Sequence, residues 1–304
     1  MQEFDQDQKP GFWEKPGFLR KFSPSGIPYI NWGGQGPLLH FAHANGFPPG
    51  TYSAFVQHLT GQFQVFGMEC RALWDRQDPT QFQHWRELGE DLARFLTEMK
   101  LGMVLAAGHS LGAVTSLFCA VAHPELVHAL ILIDPVILPA HLAPIWAVAI
   151  LLRLNRRTRL PAGARRRRVE WPSREVLLRA YRAAPVFERW QEPFLRDYIY
   201  NGTVDNPAGG VRLRYPREWE ARIFETAPPD VWCALPRLRH MPLLVLRGQH
   251  SGTYMREAMY LMRRLLPHGT FMEIEGADHF VPMSRPEKAA AAIKAFLTGS
   301  VPKE

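Results

Sequence analysis

The sequence predicts an α/β protein: a mostly parallel central sheet flanked by helices, with one inserted helical region. Three observations carry this. Short apolar runs alternate with helical patterns from residue 27 to 122 and again from 241 to 298, as βα units do. The run Val104-Leu105-Ala106-Ala107 passes through Gly108-His109-Ser110-Leu111-Gly112 into a helix-forming segment. Between 137 and 235 the texture changes to Arg-rich, Pro-punctuated segments that break the alternation. A chain of 304 residues, 46% hydrophobic, suffices for one such domain plus an insertion.

Residues 1–20 read as an irregular arm punctuated by Pro10-Gly11 and Pro16-Gly17, with Phe12, Trp13 and Phe18 available for packing. Strands follow at 27–32 and 38–43, a helix at 52–59, and a strand at 64–68. A helix is expected at 85–99, because Leu88, Leu92, Phe95, Leu96 and Met99 recur at helical spacing and make a core-facing stripe. The apolar run at 104–107 is a buried strand, and Leu111 to Ala122 a helix. Leu130-Ile131-Leu132-Ile133 is the next strand. After the insertion the pattern resumes with a strand from Met241 or Pro242 into Gly248, a helix at 257–266, a strand at 270–274 and a terminal helix at 286–298. The expected domains are the arm (1–20), a core built from 21–136 and 236–304, and a cap over 137–235.

Three motifs carry chemistry. In Gly108-His109-Ser110-Leu111-Gly112, a strand-to-helix turn thrusts the serine hydroxyl outward, and the flanking glycines let neighbouring backbone approach. A serine hydroxyl is a poor nucleophile at neutral pH and needs a positioned base. His279 lies on the loop Gly276-Ala277-Asp278-His279-Phe280, just after the last strand, and is the candidate base. The third motif, His43-Ala44-Asn45-Gly46-Phe47, follows an early strand. Acyl transfer needs donors aimed at a developing oxyanion, and the N–H groups of Leu111 and Phe47 are the candidates, with Asn45 as a side-chain donor or a turn former.

Together these pieces resemble the α/β-hydrolase family, single-chain members with a cap. The likeness also covers Ile27–Gly33, Leu130–Pro135 and the strand ending at Gly248, and is thin between about 137 and 235. It implies hydrolysis through a covalent acyl-enzyme with no cofactor. Family members with Asp at the elbow include dehalogenases and epoxide hydrolases. Ser110 points instead to ester, thioester, lactone or carbon–carbon acyl cleavage. The sequence departs from the family at one point: the loop that usually carries the triad acid reads Gln249-His250-Ser251-Gly252-Thr253 and has no carboxylate. Asp134, at the end of the 130–133 strand, is the preferred substitute; a plain Asp134-Pro135 turn, Glu257, Asp278 and a Ser–His dyad are the alternatives.

The formal charge of +7 is concentrated in the cap: between Arg153 and Arg222 there are 17 Arg, no Lys and eight acidic residues, a net of +9. The apolar stretch 142–152 directly precedes the Arg cluster and is too short to span a bilayer. It reads as a lid helix packed on the core, as one side of a site for an anionic amphiphile, or as a membrane-surface contact. No nucleic-acid-binding signature accompanies the Arg, so that partner is not expected. Three scattered cysteines, no zinc spacing and a polar N-terminus favour a reducing cytoplasm and argue against a metal. The expected partner is a small acyl substrate, with oligomeric state open. Trp146, His109 and the cap aromatics Trp171, Tyr181, Phe187 and Trp190 are candidate pocket residues. Rival functions are a carbon–carbon hydrolase, a cofactor-free haloperoxidase, and a non-catalytic binding protein on the same scaffold.

Overall fold

The structure is a computed structural model and describes residues 20–299; the expected N-terminal arm, except Arg20, lies outside the described residues. Eight strands form the main sheet: β1 (Arg20–Phe22), β2 (Pro28–Gly33), β3 (Leu38–Ala42), β4 (Gln64–Met68), β5 (Val104–His109), β6 (Val127–Ile133), and, after the insertion, β10 (Leu243–Gly248) and β11 (Thr270–Ile274). Their spatial order is β1-β2-β4-β3-β5-β6-β10-β11. At one edge β2 runs antiparallel to both β1 and β4, and the other five pairings are parallel.

The interior strands read as continuous apolar runs because both faces of the sheet are covered. Along β5, Val104 and Ala106 join one core with Leu88, Leu92 and Phe95 of the helix Arg86–Glu98. Leu105 and Ala107 point the other way and pack with Phe55 and with Ile293 of the terminal helix Pro286–Leu297. That period of two assigns alternate residues to two hydrophobic cores, one on each face.

Most elements fall where the sequence puts them, and β4 and β11 coincide with the expected 64–68 and 270–274. The differences are local. The expected helix at 52–59 is a 3₁₀ turn (Pro49–Tyr52) followed by a short helix, Ser53–Gln57. β6 starts at Val127, three residues before the expected 130–133, because exposed His128 interrupts its apolar run. β1 is an edge strand with three exposed residues and so carries no apolar signal.

Between β6 and β10 the chain forms helices Ala143–Leu151, Arg159–Arg166, Arg174–Arg182, Glu192–Asn201 and Arg217–Glu225. The insertion is not wholly helical as expected. It also holds an antiparallel sheet of β7 (Glu170–Trp171), β8 (Thr203–Asp205) and β9 (Val211–Leu213), in the order β7-β9-β8. Two- and three-residue strands are below the length at which alternation can be read. The β8–β9 hairpin closes through Asn206–Gly210, where Gly209 and Gly210 take positive φ. No helix among the described residues is long and apolar enough to cross a membrane.

Candidate active site

β5 ends at His109, and Ser110 turns the chain sharply into the helix Leu111–Ala122. Ser110 takes φ 57° and ψ −114°, a costly conformation for a non-glycine residue. The flanking glycines make the turn sterically feasible. A Cβ on Gly108 would sit 2.3 Å from Gly112 backbone, and one on Gly112 would sit 2.2 Å from the Ala42 carbonyl oxygen. The Ser110 N–H donates to the Ile133 carbonyl at 3.0 Å, which ties the turn to the end of β6.

Asp134 is the next residue after that strand, fully buried and also at positive φ (43°). Its carboxylate accepts three hydrogen bonds: from the Gly248 N–H (2.7 Å), the Ser251 hydroxyl (2.6 Å) and His279 Nδ1 (2.8 Å). These donors satisfy a charge that would otherwise be costly to bury. The carboxylate-free loop after β10 therefore supplies donors instead of the acid. Buried Arg247 shapes that loop, donating to the Tyr254 carbonyl at 2.6 Å and the Ser251 carbonyl at 3.1 Å while pairing with Glu273 at 2.6 Å. The rival carboxylates are engaged elsewhere: Asp278 Oδ1 accepts from the Phe280 N–H, and Glu257 lies in the first turn of the helix Arg256–Leu265.

His279 completes the chain. With Nδ1–H donated to Asp134, Nε2 is the acceptor for the Ser110 hydroxyl at 3.0 Å. The structure thus brings Ser110, His279 and Asp134 into one hydrogen-bonded series.

His109 is placed otherwise than expected. It is fully buried beneath the His279 loop and absent from the cavity wall, so it is not a substrate contact. Its Nε2–H donates to the His279 carbonyl at 2.8 Å, and its Nδ1 accepts from the Tyr52 hydroxyl at 2.8 Å. Tyr52 in turn accepts the Ala44 N–H at 3.1 Å. A relay, Ala44–Tyr52–His109–His279, joins the 43–47 loop to the His279 loop. Burial, with the neighbouring His279 ring, holds the His109 pKa well below the usual imidazole range, so the ring stays neutral.

The 43–47 loop lies opposite. The Leu111 N–H is among the first-turn donors that a helix leaves without an intrahelical acceptor. The Phe47 N–H closes a long turn bond, 3.3 Å, onto the Ala44 carbonyl. Asn45 lines the cavity; one amide hydrogen goes to the Glu220 carbonyl at 3.0 Å, and its buried Oδ1 has no partner. Glu220 also pairs with Arg167 at 2.8 Å, and Arg167 bonds the hydroxyls of Tyr181 and Tyr198. Tyr198 reaches the Gly46 carbonyl at 3.4 Å, and a Cβ on Gly46 would stand 3.1 Å from Glu220 Oε1. The insertion therefore presses a salt bridge and a tyrosine onto this loop.

Ser110 and His279 open into a cavity of about 930 Å³ under the insertion. Trp146, Trp171, Tyr181, Phe187, Phe224 and Phe280 make much of its wall. Trp190, expected there, is buried against Phe47, Phe187 and Phe280 and absent from the wall. The same cavity meets Arg159, Arg166, Arg167 and Arg168. No group of three or more metal-ligating side chains occurs among the described residues. His40 and His43 are buried, and each accepts a backbone N–H, from Met68 and Cys70.

Comparison with known proteins agrees with this architecture. A 2-(acetamidomethylene)succinate hydrolase of Mesorhizobium japonicum is 26% identical over 278 residues, covering 87% of this chain and 89% of that protein. A crystal structure of E-2-(acetamidomethylene)succinate hydrolase superposes with a TM-score of 0.72 at 20% identity, covering 93% of this chain and all of that one. An esterase from M. tuberculosis matches with a TM-score of 0.69 at 21% identity, covering 92% and 90% of the two chains. At those identities the structural matches speak for the fold alone. The sequence profile described as alpha/beta hydrolase fold matches residues 45–286, most of the chain, and the protein belongs to that family.

Proposed function

We propose that this protein is a serine hydrolase that cleaves a carboxylic ester or thioester of a hydrophobic acyl group. The observation that carries this reading is the Ser110–His279–Asp134 series opening into a large, mostly apolar cavity. In this reading Ser110 Oγ attacks the acyl carbon while His279 Nε2 takes its proton. Asp134 keeps the proton of Nδ1 in place and stabilises the imidazolium that forms. The carbonyl oxygen becomes an oxyanion near the Leu111 N–H; the Phe47 N–H exchanges its long bond to Ala44 for the stronger acceptor. His279 then protonates the leaving group, and a water activated by His279 releases the acid and restores Ser110.

A second reading has its own support. The relative from Mesorhizobium japonicum is named for a succinate derivative, and four arginines border this cavity. A substrate bearing carboxylates would find bidentate partners in Arg159 and Arg166, which have no acidic partner among the described residues.

The test begins with intact mass after a fluorophosphonate probe, on the native chain and on Ser110→Ala. One adduct on the native chain and none on the variant is expected. No adduct on the folded native chain would overturn the serine-hydrolase reading. Turnover of p-nitrophenyl esters of increasing chain length, against 2-(acetamidomethylene)succinate, then separates the two readings.

A further inference from the structure

The helix Ala143–Leu151 packs unlike the others. Its sequence, APIWAVAIL, is apolar on every face, yet Ala143 is its only buried residue. The inner side carries Trp146, which lines the cavity and donates to the Ala227 carbonyl at 2.8 Å. The outer side leaves Ile145 64%, Val148 54% and Leu151 79% exposed, a stripe at helical spacing. Leu152 and Leu154 extend it, and exposed Leu160 extends it further while also lining the cavity. Leu160 thus links these exposed apolar side chains to the wall of the Ser110 cavity. A contiguous exposed patch of this kind marks an interaction site.

The chemistry of the partner is written in the neighbouring charges. From Pro135 to Val169 there is no Asp or Glu, and there are eight Arg. Arg153, Arg157, Arg159 and Arg166 are exposed and have no acidic partner among the described residues. Bulky aliphatic side chains rimmed by unpaired arginines fit an anionic lipid surface: the aliphatic groups enter the acyl boundary and the guanidinium groups meet phosphates. A second copy of the chain fits badly, because a twofold contact through this patch sets the same arginines against each other. A polyanion such as a nucleic acid would engage the Arg and leave the aliphatic stripe in water.

We infer that this face of the insertion docks on an anionic phospholipid bilayer, with the cavity mouth turned toward the membrane. Docking places the mouth where a hydrophobic substrate dissolves. The inference goes beyond the hydrolytic reading and does not depend on it, because binding is measured directly and in Ser110→Ala as well as in the native chain.

The experiment is flotation of the full-length protein with vesicles of phosphatidylcholine containing about 30% phosphatidylserine, and with phosphatidylcholine alone, at low and at about 0.5 M salt. Binding to the anionic vesicles and its loss at high salt are expected. Arg153→Gln with Arg157→Gln should weaken it roughly 25-fold, at about fivefold for each charge. Leu151→Glu should weaken it at least about tenfold. Neither change touches the cavity wall, so thermal midpoints and adduct formation should stay at native levels. Equal binding to neutral vesicles, no binding to anionic ones, or a stable dimer dispersed by Leu151→Glu would each overturn the inference.

Discussion

Two walls face each other across the cavity, and they are built on different physical terms. Ser110, Asp134 and His279 sit on turns at the carboxyl ends of β5, β6 and β11, each fixed by short hydrogen bonds to backbone or to one another. Their imidazole neighbour His109 is neutral. The facing wall comes from the insertion and is held by guanidinium groups: Arg167 on Glu220, Tyr181 and Tyr198, and Arg168 against Trp171. The first wall depends on strand order, which a parallel sheet fixes. The second depends on side-chain pairs that another insertion could replace. Chemistry built on the first can persist while recognition on the second changes.

The strongest test of the first wall is Ser110→Ala, which should lower kcat by about 10⁶-fold, the scale of losing the nucleophile in a serine hydrolase. Asp134→Asn should lower it by about 10⁴-fold by favouring the wrong imidazole tautomer. Single-turnover rates with an ester substrate would measure both. If Asp134→Asn kept most of the rate, Asp134 would be only a structural anchor for the loop after β10.

Breaking the second wall should cost stability first. Arg167 and Glu220 are mostly enclosed, with side-chain exposures of 19% and 12%. Glu220→Gln leaves the guanidinium without its counter-charge and should destabilise by roughly 2–4 kcal/mol, somewhat below a fully enclosed pair. Replacing both, Arg167→Met with Glu220→Leu, should recover most of that in a urea titration. Activity should stay depressed in the double variant, because the Asn45–Phe47 loop has lost the group that braces Gly46. Full activity in the double variant would mean that the insertion does not support the loop.

The same contrast explains what was legible in the sequence. Ser110 and its turn are local, so five residues and their flanks reveal them. His279 follows from its place after the last strand. Asp134 could only be preferred, because its partners Gly248, Ser251 and His279 meet it through the adjacency of β6, β10 and β11, which pattern alone does not display. Ser251 was visible only as a missing carboxylate. Nothing marked His109 and Tyr52 as a relay, since they lie 57 residues apart. The Arg167–Glu220 pair spans 53 residues inside a region where Arg is so frequent that no single one stands out.

Acid should strike the buried histidines beneath the 43–47 loop, and salt the outer face of the insertion. Burial lowers the His40 pKa to about 3 and the His43 pKa to about 4, from 6.5. Below pH 6.5 the unfolded chain binds protons that the native state refuses, so stability is fully present above 6.5 and falls with pH until the native groups titrate. The slope is roughly 1.4 kcal/mol per pH unit for each histidine. Denaturant midpoints at pH 7.5, 6 and 5 should drop accordingly and respond little to salt, whereas vesicle binding should respond to salt. A flat profile down to pH 5 would show that these imidazoles are hydrated or charged in the folded protein.

The smallest expected effect is Tyr52→Phe. The hydroxyl accepts the Ala44 N–H and donates to His109 Nδ1, both deep in the core. Removing it leaves a donor and an acceptor unpaired and should cost about 1–3 kcal/mol of stability. The His279 carbonyl keeps its bond from His109 Nε2, so the imidazole stays near Ser110 and kcat should fall only several-fold, with KM unchanged. The direction of that split is the informative part. A drop in kcat alone places Tyr52 as a positioning residue that sets the His279 loop from beneath. An unchanged kcat with lowered stability makes the relay a packing device, and the first wall then owes its geometry to β5, β6 and β11 alone.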